Sequence, residues 1–178
     1  MIKVKVPASA ANLGPGFDCL GLALDLYNTV EVSKTASFKL AIEGEGADTL
    51  SLDINNNLFL QAYLRYFQEV KENPVPIRAK LVNCIPLARG LGSSAATVVA
   101  GLLAAAYFAR QKLNKVELLN LAASLEGHAD NVAAALFGGL VLTYQDKNRY
   151  QWQKLNFNSS IGTVVIIPEQ QLKTKAAR

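Results

Sequence analysis

Pro86-Leu87-Ala88-Arg89-Gly90-Leu91-Gly92-Ser93-Ser94-Ala95-Ala96 is the stretch around which the rest of the chain arranges itself. It follows an alternating segment, Val75 to Ile85, that reads as a strand stopped by Pro86. It opens an alanine-rich run that reads as a buried helix reaching about Lys112. Gly90 and Gly92 allow positive φ and a close approach of backbone to an anion, and Ser93 and Ser94 add hydroxyls. The free N–H groups and positive dipole end of the following helix point into the same loop. Together these make a phosphate cradle; the plainer alternative is a strand-to-helix turn capped by serines. Two better-known loops do not fit. A Walker loop needs a Lys after its last glycine, and none follows Gly92. The pattern GxGxxA does occur from Gly90 to Ala95, but a dinucleotide site wants an acid about 20 positions on, and residues 110–115 read Arg-Gln-Lys-Leu-Asn-Lys.

Downstream, Asn114 and Glu117 form a capping box for a helix that runs to about Glu126. Glu126-Gly127-His128-Ala129-Asp130-Asn131 breaks that helix and contains the single histidine of the chain. A carboxylate here suits oxygen ligation of Mg²⁺. The alternatives are a core or capping histidine, with Asp130 and Asn131 capping the apolar segment Val132 to Phe137. Gly138-Gly139 then turns into strand Leu140 to Tyr144, followed by strands Tyr150 to Leu155 and Gly162 to Ile167.

Upstream, Ile2 to Val6 reads as a strand stopped by Pro7, and Ala8 to Gly16 as a loop of small residues with Gly14-Pro15-Gly16 as its turn. Asn12 and Asp18 are the functional side chains there. Asp18 suits a substrate ammonium, and turn chemistry is the alternative for both. Asp25 to Ser33 and Ser37 to Glu43 read as strands, Gly44 to Asn57 as irregular, and Leu58 to Val70 as a helix ended by Asn73-Pro74. Strands, then helices, then strands argue an α+β fold.

Composition sets the outer bounds. With 178 residues, 51% apolar and 18% charged, the chain suits one globular domain plus the start of another. A net charge of +4 fits phosphate or carboxylate ligands, and no Lys/Arg stripe interleaved with aromatics points to nucleic acid. Cys19 and Cys84 form no CxxC pair, so neither a disulfide framework nor a zinc site is expected, and free thiols fit a reducing cytoplasm. No secretory signal pattern opens the chain, and Ala95 to Ala109 is short of the roughly 18 residues of a membrane span.

VPASAANLGPGFDCLGLAL (Val6 to Leu24), PLARGLGSSAA (Pro86 to Ala96) and EGHADNVAAALFGG (Glu126 to Gly139), in this order, resemble motifs of the GHMP kinases. The first and third are similar to the homoserine-phosphorylating branch of that family. The resemblance implies an N-terminal domain of the ribosomal-protein-S5 domain 2 type over residues 1–157, and the start of a ferredoxin-like C-terminal domain over residues 158–178. It implies transfer of the ATP γ-phosphoryl group to the hydroxyl of L-homoserine, giving O-phospho-L-homoserine for threonine synthesis. By that resemblance Pro86 to Ala96, with Asn57 and Leu58 at the adenine, hold the nucleotide, and Ser94 and Glu126 hold Mg²⁺. Asn12, Asp18, His128, Asp130, Asn131 and Arg178 line the amino-acid pocket. His128, Asn131 and Arg178 stand nearest the chemistry, His128 as a proton acceptor and Arg178 as a fork on the carboxylate. The family's glycine-rich third motif is not in the chain, which therefore reads as an N-terminal portion. A homodimer is implied by association alone. The competing readings are a GHMP kinase for mevalonate-like or sugar substrates, a non-catalytic nucleotide-binding module, and, more distantly, a dehydrogenase.

Overall fold

A computed structural model describes residues 1–156, 158 and 160–167. Its first two strands form one long hairpin. β1 (Ile2–Leu13) pairs antiparallel with β2 (Gly16–Lys34), from Ile2 opposite Val32 to Leu13 opposite Gly16. The turn is Gly14-Pro15, with Gly14 at φ +56°. The sequence predicts a strand ending at Pro7 and a loop from Ala8 to Gly16; the strand instead continues to Leu13. Pro7 is accommodated because β1 has β2 as its one strand partner among the described residues, so no ladder bond on its other side is lost. The register also slips between Pro7 and Ser9.

β2 is the axis of the sheet. β1 follows one of its edges. The opposite edge is shared by β4 (Ile77–Asn83), opposite Thr29 to Lys34, and β5 (Leu140–Asp146), opposite Leu20 to Leu22. β3 (Lys39–Gly44) lies parallel to β4, and β6 (Arg149–Leu155) antiparallel to β5. The order is β3-β4-β2-β5-β6 with β1 beside β2. One parallel pair in an otherwise antiparallel sheet, with helices gathered in the middle of the chain, agrees with the α+β expectation.

α1 (Leu58–Glu69) starts at Asn57, whose Oδ1 accepts the N–H groups of Phe59 and Leu60. It ends before Asn73-Pro74 in a left-handed reversal at Lys71 (φ +56°). There the N–H of Lys71 bonds to Gln68 O and that of Glu72 to Phe67 O. α2 (Ser93–Phe108) stops short of Lys112, where the sequence places its end. The Glu72 carboxylate accepts the N–H groups of Arg110 (3.1 Å) and Gln111 (2.8 Å) and draws the chain away from helical geometry. The Lys112 ammonium meets the helix's last carbonyls at Ala109 and Ala106. α3 (Lys115–Glu126) carries the capping box expected of Asn114 and Glu117, and α4 (Asp130–Phe137) follows.

The core forms where α1 and α2 meet the sheet. Phe59, Tyr63, Tyr66 and Phe67 are fully buried, each contributing about 1.5–3 kcal/mol by removal from water. The buried hydroxyls are satisfied: Tyr63 donates to Val75 O, and Tyr66 accepts from Leu113 N. Burial pushes the Tyr63 phenol well above its ordinary range. α2 lets α1 approach closely at Gly101, where a Cβ would stand 2.4 Å from Phe59 O.

The strand expected over Gly162 to Ile167 is not formed. No described strand pairs with this segment, and its side chains face solvent, Val164 and Ile166 at 87% exposure. A strand without a ladder partner has nothing to stabilise it.

Candidate active site

The loop between β4 and α2 is folded by residues at alternate positions in the left-handed region: Ala88 (φ +53°), Gly90 (+71°) and Gly92 (+64°). Such alternation turns successive N–H groups toward one concavity. Gly92 is the N-cap of α2 and makes no side-chain cap bond, while Ser93 and Ser94 lie inside the helix. The serine-capped alternative is therefore not how this helix begins, and its first-turn N–H groups are left without a side-chain partner.

The loop borders a cleft of about 590 Å³. Leu50, Leu58, Leu81, Pro86 and Leu87 supply apolar wall; Ser51, Asn56, Asn83, Ser93, Ser94, Glu126, His128 and Asn131 supply polar groups. The arrangement suits a flat apolar ring joined to a charged tail. Two backbone anchors hold the loop. Asn28, buried in the middle of β2, accepts the N–H groups of Cys84 (2.8 Å) and Ile85 (2.9 Å) with its Oδ1. Ser9 in β1 donates its N–H to Leu91 O at 3.0 Å.

The turn from α3 into α4 brings the remaining side chains. Gly127 (φ +88°) ends α3, and Ser94 Oγ donates to Glu126 Oε1. His128 Nδ1 lies 2.7 Å from Asp130 Oδ1, and the Asp130 side chain is wholly buried. A carboxylate accepts, so Nδ1 carries a proton at this contact, and Nε2 is the ring nitrogen left to face the cleft. Nε2 lies 3.8 Å from Glu126 Oε1. Asp130 Oδ1 also accepts the Asn131 N–H at 2.7 Å, while the N-cap position belongs to Ala129, which makes no side-chain cap bond. Asp130 thus orients His128 and the first turn of α4.

Of the residues singled out in the sequence, the cleft gathers Asn12, Asn57, Leu58, Pro86 to Ser94, Glu126, His128 and Asn131. Ala95 and Ala96 are buried within α2 and do not line it. Asp18 is exposed on the hairpin, outside the lining, and its N–H donates to Asn12 Oδ1 at 2.9 Å; both residues have positive φ. The Asn57 side chain is committed locally, capping α1 and donating from Nδ2 to Ser51 O. Arg178, with the tail from Leu172, lies outside the described residues. Among those described, no cluster of three His, Cys, Asp or Glu is placed to hold a metal. Ser94 Oγ and Glu126 Oε1 do form a pair of hard oxygen donors, the number Mg²⁺ takes from protein when water and phosphate complete its shell.

Residues 57–139 match the N-terminal domain of the GHMP kinases. A homoserine kinase of Caldanaerobacter subterraneus is 44% identical over the whole of this chain, which spans 57% of that relative's length. A solved homoserine kinase from Cytophaga hutchinsonii superposes with a TM-score of 0.80 at 30% identity, over 99% of this chain and 58% of that one. A mevalonate kinase from Methanococcus jannaschii, at 19% identity and TM-score 0.67 over 88% of this chain and 56% of that one, shares the fold.

Sequence reasoning passed over Ser9, Asn28 and Asn83. Asn28 stands amid β-branched residues in Tyr27-Asn28-Thr29-Val30, and a polar residue inside a buried strand is the available signal that it serves backbone groups. Asn83, whose Nδ2 donates to Glu45 O, carried the same mark between Val82 and Cys84.

Proposed function

We propose that this chain belongs to the GHMP kinases and forms the nucleotide site and much of the acceptor site of an enzyme that moves the γ-phosphoryl group of ATP to the hydroxyl of L-homoserine. The observation that carries the reading is the side-chain-free N-terminus of α2, facing a cleft whose wall also holds the Ser94–Glu126 pair and His128, which the buried Asp130 backs from outside the lining. The relatives named homoserine kinase supply the acceptor. The chain spans less than two thirds of their length, so the remaining contacts belong to the whole protein.

The residues present divide the work. The N–H groups of the Gly90 to Ser94 loop and the dipole of α2 hold the polyphosphate. Mg²⁺, held by Ser94 and Glu126, would neutralise phosphate charge. Asn57 holds the segment that meets the adenine in shape through its cap and its bond to Ser51 O. Asn131 lines the cleft beside the loop. His128, whose Nδ1 is turned to Asp130, accepts the acceptor's proton at Nε2. By the resemblance alone, Asp18, exposed on the hairpin outside the cleft lining, would meet the substrate ammonium and Arg178 its carboxylate. Positioning and charge neutralisation carry most of the rate, as phosphoryl transfer allows. The finer assignments follow the same reading: an S5-like domain over residues 1–157, the start of a ferredoxin-like domain over residues 158–178, a cytoplasmic place and a homodimer. Among the described residues no helix is long and apolar enough to cross a membrane.

The test is coupled-assay ATP turnover with L-homoserine, with L-serine, mevalonate and galactose as controls. Homoserine-dependent turnover supports the assignment; turnover with another alcohol alone removes the substrate, and no ATP binding removes the cradle. In the active enzyme His128→Ala should lower kcat by about 10²-fold or more; an unchanged kcat ends its role as base.

A further inference from the structure

Ser9 is the residue on which three segments of the chain close. It lies in β1 with no solvent exposure. Its N–H donates to Leu91 O at 3.0 Å, and its Oγ donates to Asn131 Oδ1 at 2.9 Å across 122 positions of sequence. A Cβ placed on Gly92 would fall 2.1 Å from that same Oγ and 3.1 Å from Asn131 Oδ1. Ser9 of strand β1 therefore ties the glycine loop through its N–H and the first turn of α4 through its buried hydroxyl, with Gly92 packed against that hydroxyl.

The consequence is chemical. A primary amide has an accepting oxygen and a donating nitrogen. A fully buried hydroxyl must place its hydrogen on an acceptor, and Asn131 Oδ1 is the one this hydroxyl has. With Oδ1 engaged by Ser9, the Nδ2 donors are the part of the amide left for the cleft that Asn131 lines. Donors suit an anionic phosphoryl group; the opposite orientation would set a carbonyl oxygen against it. We propose that Ser9 is a positioning residue that fixes the Asn131 amide with Nδ2 toward the transferred phosphoryl group. The identity of that group rests on the kinase reading; the amide orientation does not. Ser9→Ala removes the hydroxyl and keeps the backbone bond to Leu91, so the loop retains its anchor.

Two readouts test this. In ¹H–¹⁵N spectra, the Asn131 side-chain amide pair is identified by its loss in Asn131→Ala. Ser9→Ala should shift that pair and speed its exchange with water; an unmoved, equally protected pair overturns the proposal. In the homoserine-dependent assay, Ser9→Ala should lower kcat about tenfold with KM for ATP within about twofold of wild type. The double variant with Asn131→Ala should be no slower than Asn131→Ala alone. Additive losses, or a loss confined to KM for ATP, overturn it. If the wild-type protein phosphorylates no alcohol, the kinase reading falls, and the amide spectra still decide the tie between Ser9 and Asn131.

Discussion

At Gly90 and Gly92 the same substitution has two different costs. Both have positive φ, and an alanine there is strained by about 1–2 kcal/mol. Gly90 has open space where a Cβ would go, so Gly90→Ala should stop at that figure. Gly92→Ala adds the clash with Ser9, about 1–3 kcal/mol of overpacking on top, and should weaken ATP binding with it. Urea unfolding with ATP titration of the two variants separates the cases. The need for glycine was legible in Pro86 to Ala96; its cause at position 92 was not, because Ser9 lies far off in sequence and was read as part of a loop. Glu72 carries a pH prediction. Its bonds from the Gln111 and Arg110 N–H groups hold its carboxyl below the ordinary 4.5. A depressed folded-state value gives stability that is present above the unfolded value and lost as pH falls through the folded one. Glu72→Gln should therefore lower Tm at neutral pH, and the gap should close as pH falls below about 4.5. A gap that stays constant from neutral to strongly acid pH would contradict it.

Elements rather than residues hold the cleft open. Asn57 and Asn28 show how. Asn57→Ala should cost about 1 kcal/mol through the lost cap of α1. It also frees Ser51 O, so the cleft wall at Ser51 and Asn56 loosens with the helix. Asn28→Ala strands the N–H groups of Cys84 and Ile85, at about 1–3 kcal/mol for the buried one. It should raise KM for ATP more than it lowers kcat, since the group lost anchors the loop rather than touching acceptor. Steady-state kinetics beside thermal melts check both. Helices read well from the sequence, α3 to its last residue, because cap and periodicity are local signals. β1 read poorly beyond Pro7, since whether a proline ends a strand depends on which edge carries the partner, and that is set by β2. The end of α2 was misjudged because Glu72, distant in sequence, takes up the N–H groups of residues 110 and 111.

At the scale of the molecule, the α+β order of elements was legible and the pairing of the last segment was not. Ile161, Val164, Val165, Ile166 and Ile167 are all exposed. A contiguous apolar run in water is adhesive. The chain as given should self-associate at high concentration, and Val164→Lys with Ile166→Lys should suppress this without changing Tm. Sedimentation velocity over a concentration series is the check; association unchanged by both lysines would move the adhesive surface elsewhere.

The sharing of β2's second edge also bears on the order in which the molecule assembles. The β1–β2 hairpin closes through a two-residue turn, whereas β5 joins β2 by pairing Val141 with Gly21. Contacts of short separation form early, and those closing long loops come late. Ser9 and Asn131, 122 positions apart, meet only when that late closure is complete. During refolding, recovery of nucleotide binding should therefore trail the recovery of helical signal, and ATP should slow unfolding without speeding folding.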